Sequence, residues 1–359
     1  MIELVPVHYS DIILPKGSNQ ICERTWLSIP YVIIRRIEKE VDIMVFVNSL
    51  ESILSIIIMI LLGYILTYKG IFNDNTAKAF TTMVMDISLP AYMIWNLTNT
   101  FDKESLVGLV GGITIPYMSM LACYVVGLLV SKLIGVDAKR QGIFSCMFFM
   151  SNTIFIGLPI NLALFGDKSI PYVLLYYVAN TTLFWTLGIY LISKDGSGET
   201  PDILSLQTLK NIMSPPLVGF IVGVVLVLAD IKLPSFISDV CKYLGNCTTA
   251  LSMLFIGMSI YSVKLSEINI SKDVTALVLG RFILAPFVVF LLAFMIPVAP
   301  LMKEVFIVQA AMPVIASASI IAKAYNADYR YAAVMITLTT VIAMIMIPIY
   351  MVLFNYLAI

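Results

Sequence analysis

The stretch SNTIFIGLP, residues 151–159, decides how this sequence folds, because it places polar and helix-weakening residues inside an apolar run. The residues before it are GIFSCMFFM (142–150), and INLALFG (160–166) follows it. Gly and Pro weaken a helix, and unpaired backbone groups are costly in hydrocarbon. The stretch is therefore either a tolerated kink or an interruption that forms a site.

The composition of the whole chain is that of a membrane protein. Of its 359 residues, 60% are hydrophobic and 12% are charged, with a mean hydropathy of +0.97. Net charge is zero, which gives no reason to expect nucleic-acid binding. The five cysteines show no metal-ligand spacing, and the single histidine, His8, lies in a polar N-terminal segment, which argues against zinc-protease and Ser-His-Asp chemistry. We expect a protein of the lipid bilayer that is not an enzyme and needs no cofactor or metal.

Apolar runs of about 20 residues, each long enough to cross a bilayer, recur along the chain and predict an all-α, polytopic membrane protein. The ten predicted spans are 48–67, 77–97, 105–131, 141–166, 170–193, 211–231, 243–263, 274–299, 303–324 and 329–356. Residues 194–210, rich in Gly, Ser, Asp and Pro, form a flexible linker. The linker separates a first five-helix repeat, 44–193, from a second, 211–359.

Lysine and arginine are unequally distributed between the predicted loops, and this predicts orientation. Eleven lie on the side that contains the linker and five on the other side. We therefore expect the linker to lie in the cytoplasm and both termini to lie on the outer side of the cytoplasmic membrane. Residues 1–43 add further positive charge to the outer side, so we expect Met44 to be the working start and 1–43 to be a misannotated or dispensable N-terminal extension.

The two halves correspond at a shift of about 160 residues, which suggests an internal repeat. Asn152-Thr153 falls on Met312-Pro313, while Gly157 and Pro159 fall on Ser317 and Ser319. Because each half has five spans, the second half must be inverted relative to the first. Inverted repeats with paired interrupted helices are a recurring plan of secondary transporters.

Two interruptions in the repeats predict a site near the membrane midplane. Span four breaks around Asn152–Pro159, and span nine breaks within AAMPVIASAS, residues 310–319. Broken backbone at that depth survives only inside protein or beside water. The half-helix N-termini there offer free N–H groups and positive dipole ends, which suit an anion such as a carboxylate. The predicted substrate-binding residues are Asn152, Thr153, Gly157, Pro159, Gln309, Pro313, Ser317 and Ser319.

Several polar or small residues in the spans could have a purely structural role instead. Asn152 and Thr153 could serve only as interhelical hydrogen-bonding groups, and Gly157 could serve only for close helix packing. Asp86, about ten residues into span two, is a candidate for proton coupling, because burial would raise its pKa. The alternatives are that it faces a water-filled cavity or caps a bend. For Arg281 we favour a side chain that extends to the membrane interface over attraction of an anionic substrate.

Several stretches resemble the auxin efflux carrier family, which includes bacterial malonate- and malate-type carriers. The resemblance covers residues 44–359 and is most specific in SNTIFIGLPINLALFGDKSIPY (151–172), NTTLFWTLGIYL (180–191), GRFILAPF (280–287) and AAMPVIASASIIAKAYNAD (310–328). It implies ten helices in two inverted five-helix repeats, with helices four and nine broken and crossed. It also implies a substrate-site role for Asn152 beside Pro159. Ser317 departs from the family, because many bacterial relatives have Asn at this place.

We therefore predict a secondary transporter that moves a small organic anion, a mono- or dicarboxylate, by alternating access at a helix crossover. A channel, or a transport-like membrane sensor or receptor, is the alternative. The sequence leaves open whether a proton or a sodium ion is coupled and whether the chain forms a homodimer.

Overall fold

The computed structural model describes residues 54–104, 111–196, 206–261 and 271–357, together with residues 51 and 106. Contacts divide the chain into Met1–Asn48 and Ser49–Ile359, and all described residues belong to the second unit. The predicted extension 1–43 and the central part of the linker, 197–205, lie outside the described residues. Within the described ranges every regular element is helical and the only strand-like pairing is one isolated bridge, which confirms the all-α class.

The first half of the described chain contains eight helices, several of them joined by wide π-helical turns. They are α1 (Leu54–Tyr68), α2 (Asp74–Thr82), α3 (Leu89–Thr100), α4 (Thr114–Leu133), α5 (Gln141–Phe149), α6 (Leu158–Phe165), α7 (Ile170–Leu183) and α8 (Ile189–Asp195). Helix α2 starts at a capping box, in which Asn73 Oδ1 accepts a hydrogen bond from the Thr76 amide at 3.1 Å. The π-turn Met83–Ser88 continues α2 into α3, and Phe184–Gly188 continues α7 into α8.

The second half contains eight further helices. They are α9 (Leu206–Ile212), α10 (Pro215–Leu228), α11 (Ser235–Tyr261), α12 (Lys272–Leu279), α13 (Ala285–Met295), α14 (Pro300–Ala310), α15 (Ser317–Ala324) and α16 (Tyr329–Leu357). The π-turn Gly280–Leu284 joins α12 to α13. Proline in the first turn begins α10 and α14, a position where its missing N–H removes no helical hydrogen bond.

Five helical stretches of the described chain are long and apolar enough to cross a membrane. They are Gly111–Leu133, Asp167–Asp195, Ser235–Tyr261, Lys272–Met295 and Tyr329–Ile347. The pair α9 and α10, bent by 71°, makes a sixth if it counts as one span. Two shorter apolar helices, Leu54–Tyr68 and Thr153–Phe165, stand beside them. These stretches make the chain a multi-pass membrane protein.

Packing is close where helices of the two halves meet. A Cβ atom at Gly257 of α11 would lie 2.0 Å from the Ile60 carbonyl oxygen of α1, so only glycine permits this approach. Helix α3 packs against both α10 and α11. On the outer surface large apolar side chains remain uncovered, with Leu133 and Phe294 each 83% exposed. Such a surface suits contact with lipid and is uncommon on a soluble monomer.

Candidate functional site

The first broken helix is interrupted between α5 and α6. Helix α5 ends at Phe149, and Met150 is extended, with φ −94° and ψ 133°. The chain resumes helical geometry in the π-turn Thr153–Gly157, which leads into α6 with Pro159 in its first turn. Asn152 caps this π-turn, because its Oδ1 accepts a hydrogen bond from the Phe155 amide at 3.2 Å. The predicted break in span four is therefore present.

The second broken helix is interrupted between α14 and α15. Helix α14 ends at Ala310 and α15 begins at Ser317, and residues 311–316 between them are not helical. Pro313 lies in the middle of this segment and is buried. Proline cannot donate a backbone hydrogen bond and disfavours helix before it, so the interruption follows from the sequence. The predicted break within residues 310–319 is also present.

The two interrupted segments meet each other. Ser151 and Val314 form an isolated antiparallel bridge, and the Asn152 amide donates to the Pro313 carbonyl oxygen at 2.8 Å. Each break supplies backbone groups that have lost their helical partners, and the pairing satisfies part of this need. The chain therefore crosses itself at two breaks that are far apart in sequence. We call this contact, residues 150–153 with 311–314, the crossover.

Two polar side chains support the crossover from neighbouring helices, and the sequence analysis did not single them out. Asn180 of α7 accepts from the Ser151 amide at 3.1 Å and donates to the Ser151 carbonyl at 3.0 Å. Thr339 of α16 accepts from the Val314 amide at 3.2 Å. Both side chains are buried. Positions 180 and 339 correspond at nearly the same shift as the two breaks, and this correspondence could have identified them.

Arg281 lies at the crossover, and this corrects the expectation that it extends to the membrane interface. Its side chain is 1% exposed. The guanidinium donates to the carbonyl oxygens of Ala310 at 2.7 Å, Met312 at 3.0 Å and Phe148 at 3.3 Å. A distance of eight residues from the helix end would allow the side chain to reach water, but the unpaired carbonyl oxygens at the two breaks bind it inside the protein instead.

Gln309 and Gly157 are in contact across the two broken helices. Gln309 is fully buried and its Nε2 donates to the Thr153 carbonyl at 3.3 Å. A Cβ atom at Gly157 would lie 2.3 Å from Gln309 Oε1, so the absence of a side chain permits the approach. Gln309 Oε1 is buried and has no hydrogen-bond partner among the described residues. Such atoms can interact with a bound solute or water.

The remaining predicted residues divide between the crossover and its surroundings. Ser317 begins α15 and is half-buried, and Ser319 Oγ donates to the Ala316 carbonyl at 3.4 Å. Asp86 is exposed on the π-turn Met83–Ser88. The burial expected for it is thus not found, and its role in proton coupling stays a prediction.

One side of the crossover faces an apolar region formed with α1 and α11. The rings of Phe155 and Phe255 lie 5.5 Å apart between the π-turn and α11. Next to them is an apolar cavity of about 30 Å³, lined among others by Ile60, Ile156 and Ile256. Asn152 itself is only 7% exposed. In this conformation the polar groups at the crossover are closed off from open water.

Comparisons with known proteins identify a family for this chain. A family model described as "Membrane transport protein" matches residues 48–351. An uncharacterized transporter of Methanocaldococcus jannaschii is 26% identical over 310 residues, covering 84% of this chain and 97% of its own length. An uncharacterized transporter of Methanothermobacter thermautotrophicus is 24% identical, covering 86% of this chain and 99% of its own. The uncharacterized transporter YfdV of Escherichia coli K12 is 21% identical over 292 residues, covering 78% of this chain and 89% of its own length.

Proposed function

Because this chain belongs to the membrane transport protein family, the family of auxin efflux carriers, we propose that it is a secondary transporter for a small organic anion. Its substrate would be a mono- or dicarboxylate that binds at the crossover. Alternating access would open the crossover first to one side of the membrane and then to the other. The observation that carries this proposal is the hydrogen bond between Asn152 and Pro313, which holds two broken helices together.

The choice of an anion rests on the ends of the half-helices. The turn that begins at Thr153 and the helix that begins at Ser317 have amide groups without helical acceptors, and their dipoles place partial positive charge there. Asn152, Thr153, Ser317 and Ser319 can add neutral hydrogen bonds to a carboxylate. Among the buried residues that the structure describes, no Asp or Glu is present to repel it.

We also propose ten membrane passes in two inverted repeats of five. The described helices can be grouped into ten: α1, α2–α3, α4, α5–α6, α7–α8, α9–α10, α11, α12–α13, α14–α15 and α16. The fourth and ninth of these groups are the broken ones. The antiparallel direction of the bridge at Ser151 and Val314 supports inversion. Asn180 and Thr339, from the fifth and tenth groups, support the two breaks in a similar way.

Within this layout, groups one, two, six and seven would form a scaffold, and the other six would form a transport domain that carries the crossover. The distribution of positive loop residues supports a cytoplasmic linker 194–210, with both termini on the outer side of the cytoplasmic membrane. The repeats would occupy residues 44–193 and 211–359. Asp86 is the candidate for proton coupling, and a homodimer is the proposed assembly.

The proposal is tested by uptake into liposomes that contain the purified protein. Radiolabelled malonate, malate, lactate, succinate and indole acetate are compared, and counterflow is measured for any that enters. We expect saturable uptake and counterflow of at least one carboxylate, and a loss of about ten-fold or more in Asn152→Ala, consistent with removal of one positioned charge-assisted hydrogen bond. Asn99→Ala, at an exposed position of α3, is the matched control and should transport normally. Non-saturable flux without counterflow would indicate a channel, and no flux of any of the five anions would oppose the proposal.

A further inference from the structure

Arg281 is the only charged side chain among the buried residues that the structure describes. Its recorded hydrogen bonds all go to backbone carbonyl oxygens, and no carboxylate of the described residues pairs with it. A buried cation without a counter-ion is costly in a membrane protein. An arrangement that retains such a charge needs a compensating negative charge.

The acceptors of Arg281 lie at the C-terminal ends of the first half-helices. Phe148 is in the last turn of α5, Ala310 is the last residue of α14, and Met312 follows two residues later. Each helix C-terminus carries a partial charge of about −0.5. The guanidinium therefore compensates two partial charges that together equal about one negative charge.

The opposite ends of the crossover have no such partner. The second half-helices begin at Thr153 and at Ser317, and each N-terminus carries a partial charge of about +0.5. Gln309 Oε1, buried and without a partner in the described part of the chain, lies in α14 against Gly157 of the π-turn that begins at Thr153. The empty crossover thus has a net charge of about one positive unit, which one monovalent anion would neutralise.

We propose that Arg281 is a positioning residue that sets the charge of the transport cycle. This inference rests on the proposed function, because it assumes that an organic anion occupies the crossover. With a monoanion bound, the crossover is electrically neutral. Without it, the crossover carries one positive charge. The return of the empty carrier is then the step that moves charge through the membrane field, whereas exchange of one bound monoanion for another moves none.

A dicarboxylate provides an internal comparison. A bound dianion leaves one negative charge at the crossover, so exchange of the dianion responds to voltage while exchange of the monoanion does not. The site opens alternately to the two sides of the membrane. Its net charge therefore experiences the membrane field, whichever helices move. Comparing exchange of a monoanion with exchange of a dianion therefore distinguishes the effect of a fixed charge on the protein from nonspecific effects of voltage on the liposomes.

The experiment uses liposomes with the full-length protein, equal pH on both sides, and a membrane potential set by a potassium gradient with valinomycin. Lactate is the monovalent probe and malonate the divalent probe, and exchange is compared with net flux. For the unaltered protein we expect lactate exchange to be insensitive to the potential and net lactate flux to change by about ten-fold. Malonate exchange should change by several-fold.

Two variants and one control complete the test. Arg281→Lys keeps the charge and should keep the voltage response of the unaltered protein. Arg281→Gln should transfer the voltage response to lactate exchange, because the loaded crossover then carries the negative charge. Lys323→Gln removes a positive charge from an exposed position of α15 and should change nothing. Melting temperatures of the purified variants establish that each is folded.

The outcomes distinguish this inference from the proposed function. Lactate exchange that depends on voltage in the unaltered protein, or an Arg281→Gln variant with the voltage response of the unaltered protein, would overturn the role of Arg281 and leave the anion carrier intact. If Arg281→Gln does not fold, the comparison of lactate with malonate in the unaltered protein decides the inference alone. Absence of flux for both probes in the unaltered protein would oppose carboxylate transport and this inference with it.

Discussion

Asn152 and Pro313 are joined by a backbone hydrogen bond of 2.8 Å between two helices that are both interrupted at this point. The bond explains how an apolar protein tolerates broken helices in its interior. Backbone groups that lose their helical partners are paired with each other, with Asn180, with Thr339 and with Arg281. These three buried polar side chains thus complete the crossover.

Removal of Asn180 should destabilise the protein more than removal of Thr339. Asn180→Ala leaves the Ser151 amide without a partner and removes one of two hydrogen bonds to the Ser151 carbonyl, which keeps its bond from the Thr153 amide. Thr339→Val leaves only the Val314 amide without a partner. Leaving a buried polar group unpaired costs about 1–3 kcal/mol, and Asn180→Ala loses a further hydrogen bond besides, so it should cost more. Melting temperatures of the purified variants in detergent provide the measurement. Equal stability of Asn180→Ala and the unaltered protein would show that the Ser151 pairing is not formed.

The contact between Gly157 and Gln309 can be tested with a pair of variants. In Gly157→Ala the new methyl group would displace the Gln309 amide from its bond to the Thr153 carbonyl. We expect the variant to melt at a lower temperature and to transport more slowly. Adding Gln309→Ala removes the group that clashes, so the double variant should be more stable than Gly157→Ala alone.

The control for this pair is Gln309→Ala by itself, which should lower stability only modestly because the Thr153 carbonyl loses one hydrogen bond. If the two substitutions have strictly additive effects on the melting temperature, Gly157 and Gln309 are not in contact and the arrangement of the two broken helices is incorrect.

Asp86 provides a separate test of coupling. It is an ionisable residue on the second predicted span, and its exposed position allows exchange of protons with water or a cavity. If it carries the proton, Asp86→Asn should transport in both directions at equal rates whether or not a pH gradient is imposed. Uptake by the variant that still follows the pH gradient would exclude Asp86 as the coupling group.

The sequence predicted the two interruptions because Gly and Pro within apolar runs have a direct effect on backbone geometry. Asn152, Pro313 and Gln309 were identified because they lie in or next to those interruptions. The crossover itself could not be derived with certainty from spacing, because contact between distant segments depends on tertiary packing. The family resemblance supplied that step, and the structure contains the contact.

Arg281 shows why other features could not be predicted. Its position near a helix end is compatible with either the interface or the interior, and the choice depends on unpaired carbonyl oxygens supplied by α5 and α14. Asn180 and Thr339 likewise resemble ordinary polar residues of membrane helices until their partners at Ser151 and Val314 are known. The π-turns at Thr153–Gly157 and Gly280–Leu284 have no recognised sequence signature.

Protection of a cysteine at Ser317 tests most directly whether an organic anion binds at the crossover. Ser317→Cys, made in a variant with the five native cysteines replaced, places a thiol at the first residue of α15. Lys323→Cys, at the other end of the same helix, serves as the control. The account predicts that a transported carboxylate slows alkylation at Ser317→Cys by a membrane-permeant reagent and leaves the rate at Lys323→Cys unchanged. Unchanged alkylation of Ser317→Cys at saturating carboxylate, in a variant that still transports it, would contradict binding at the crossover.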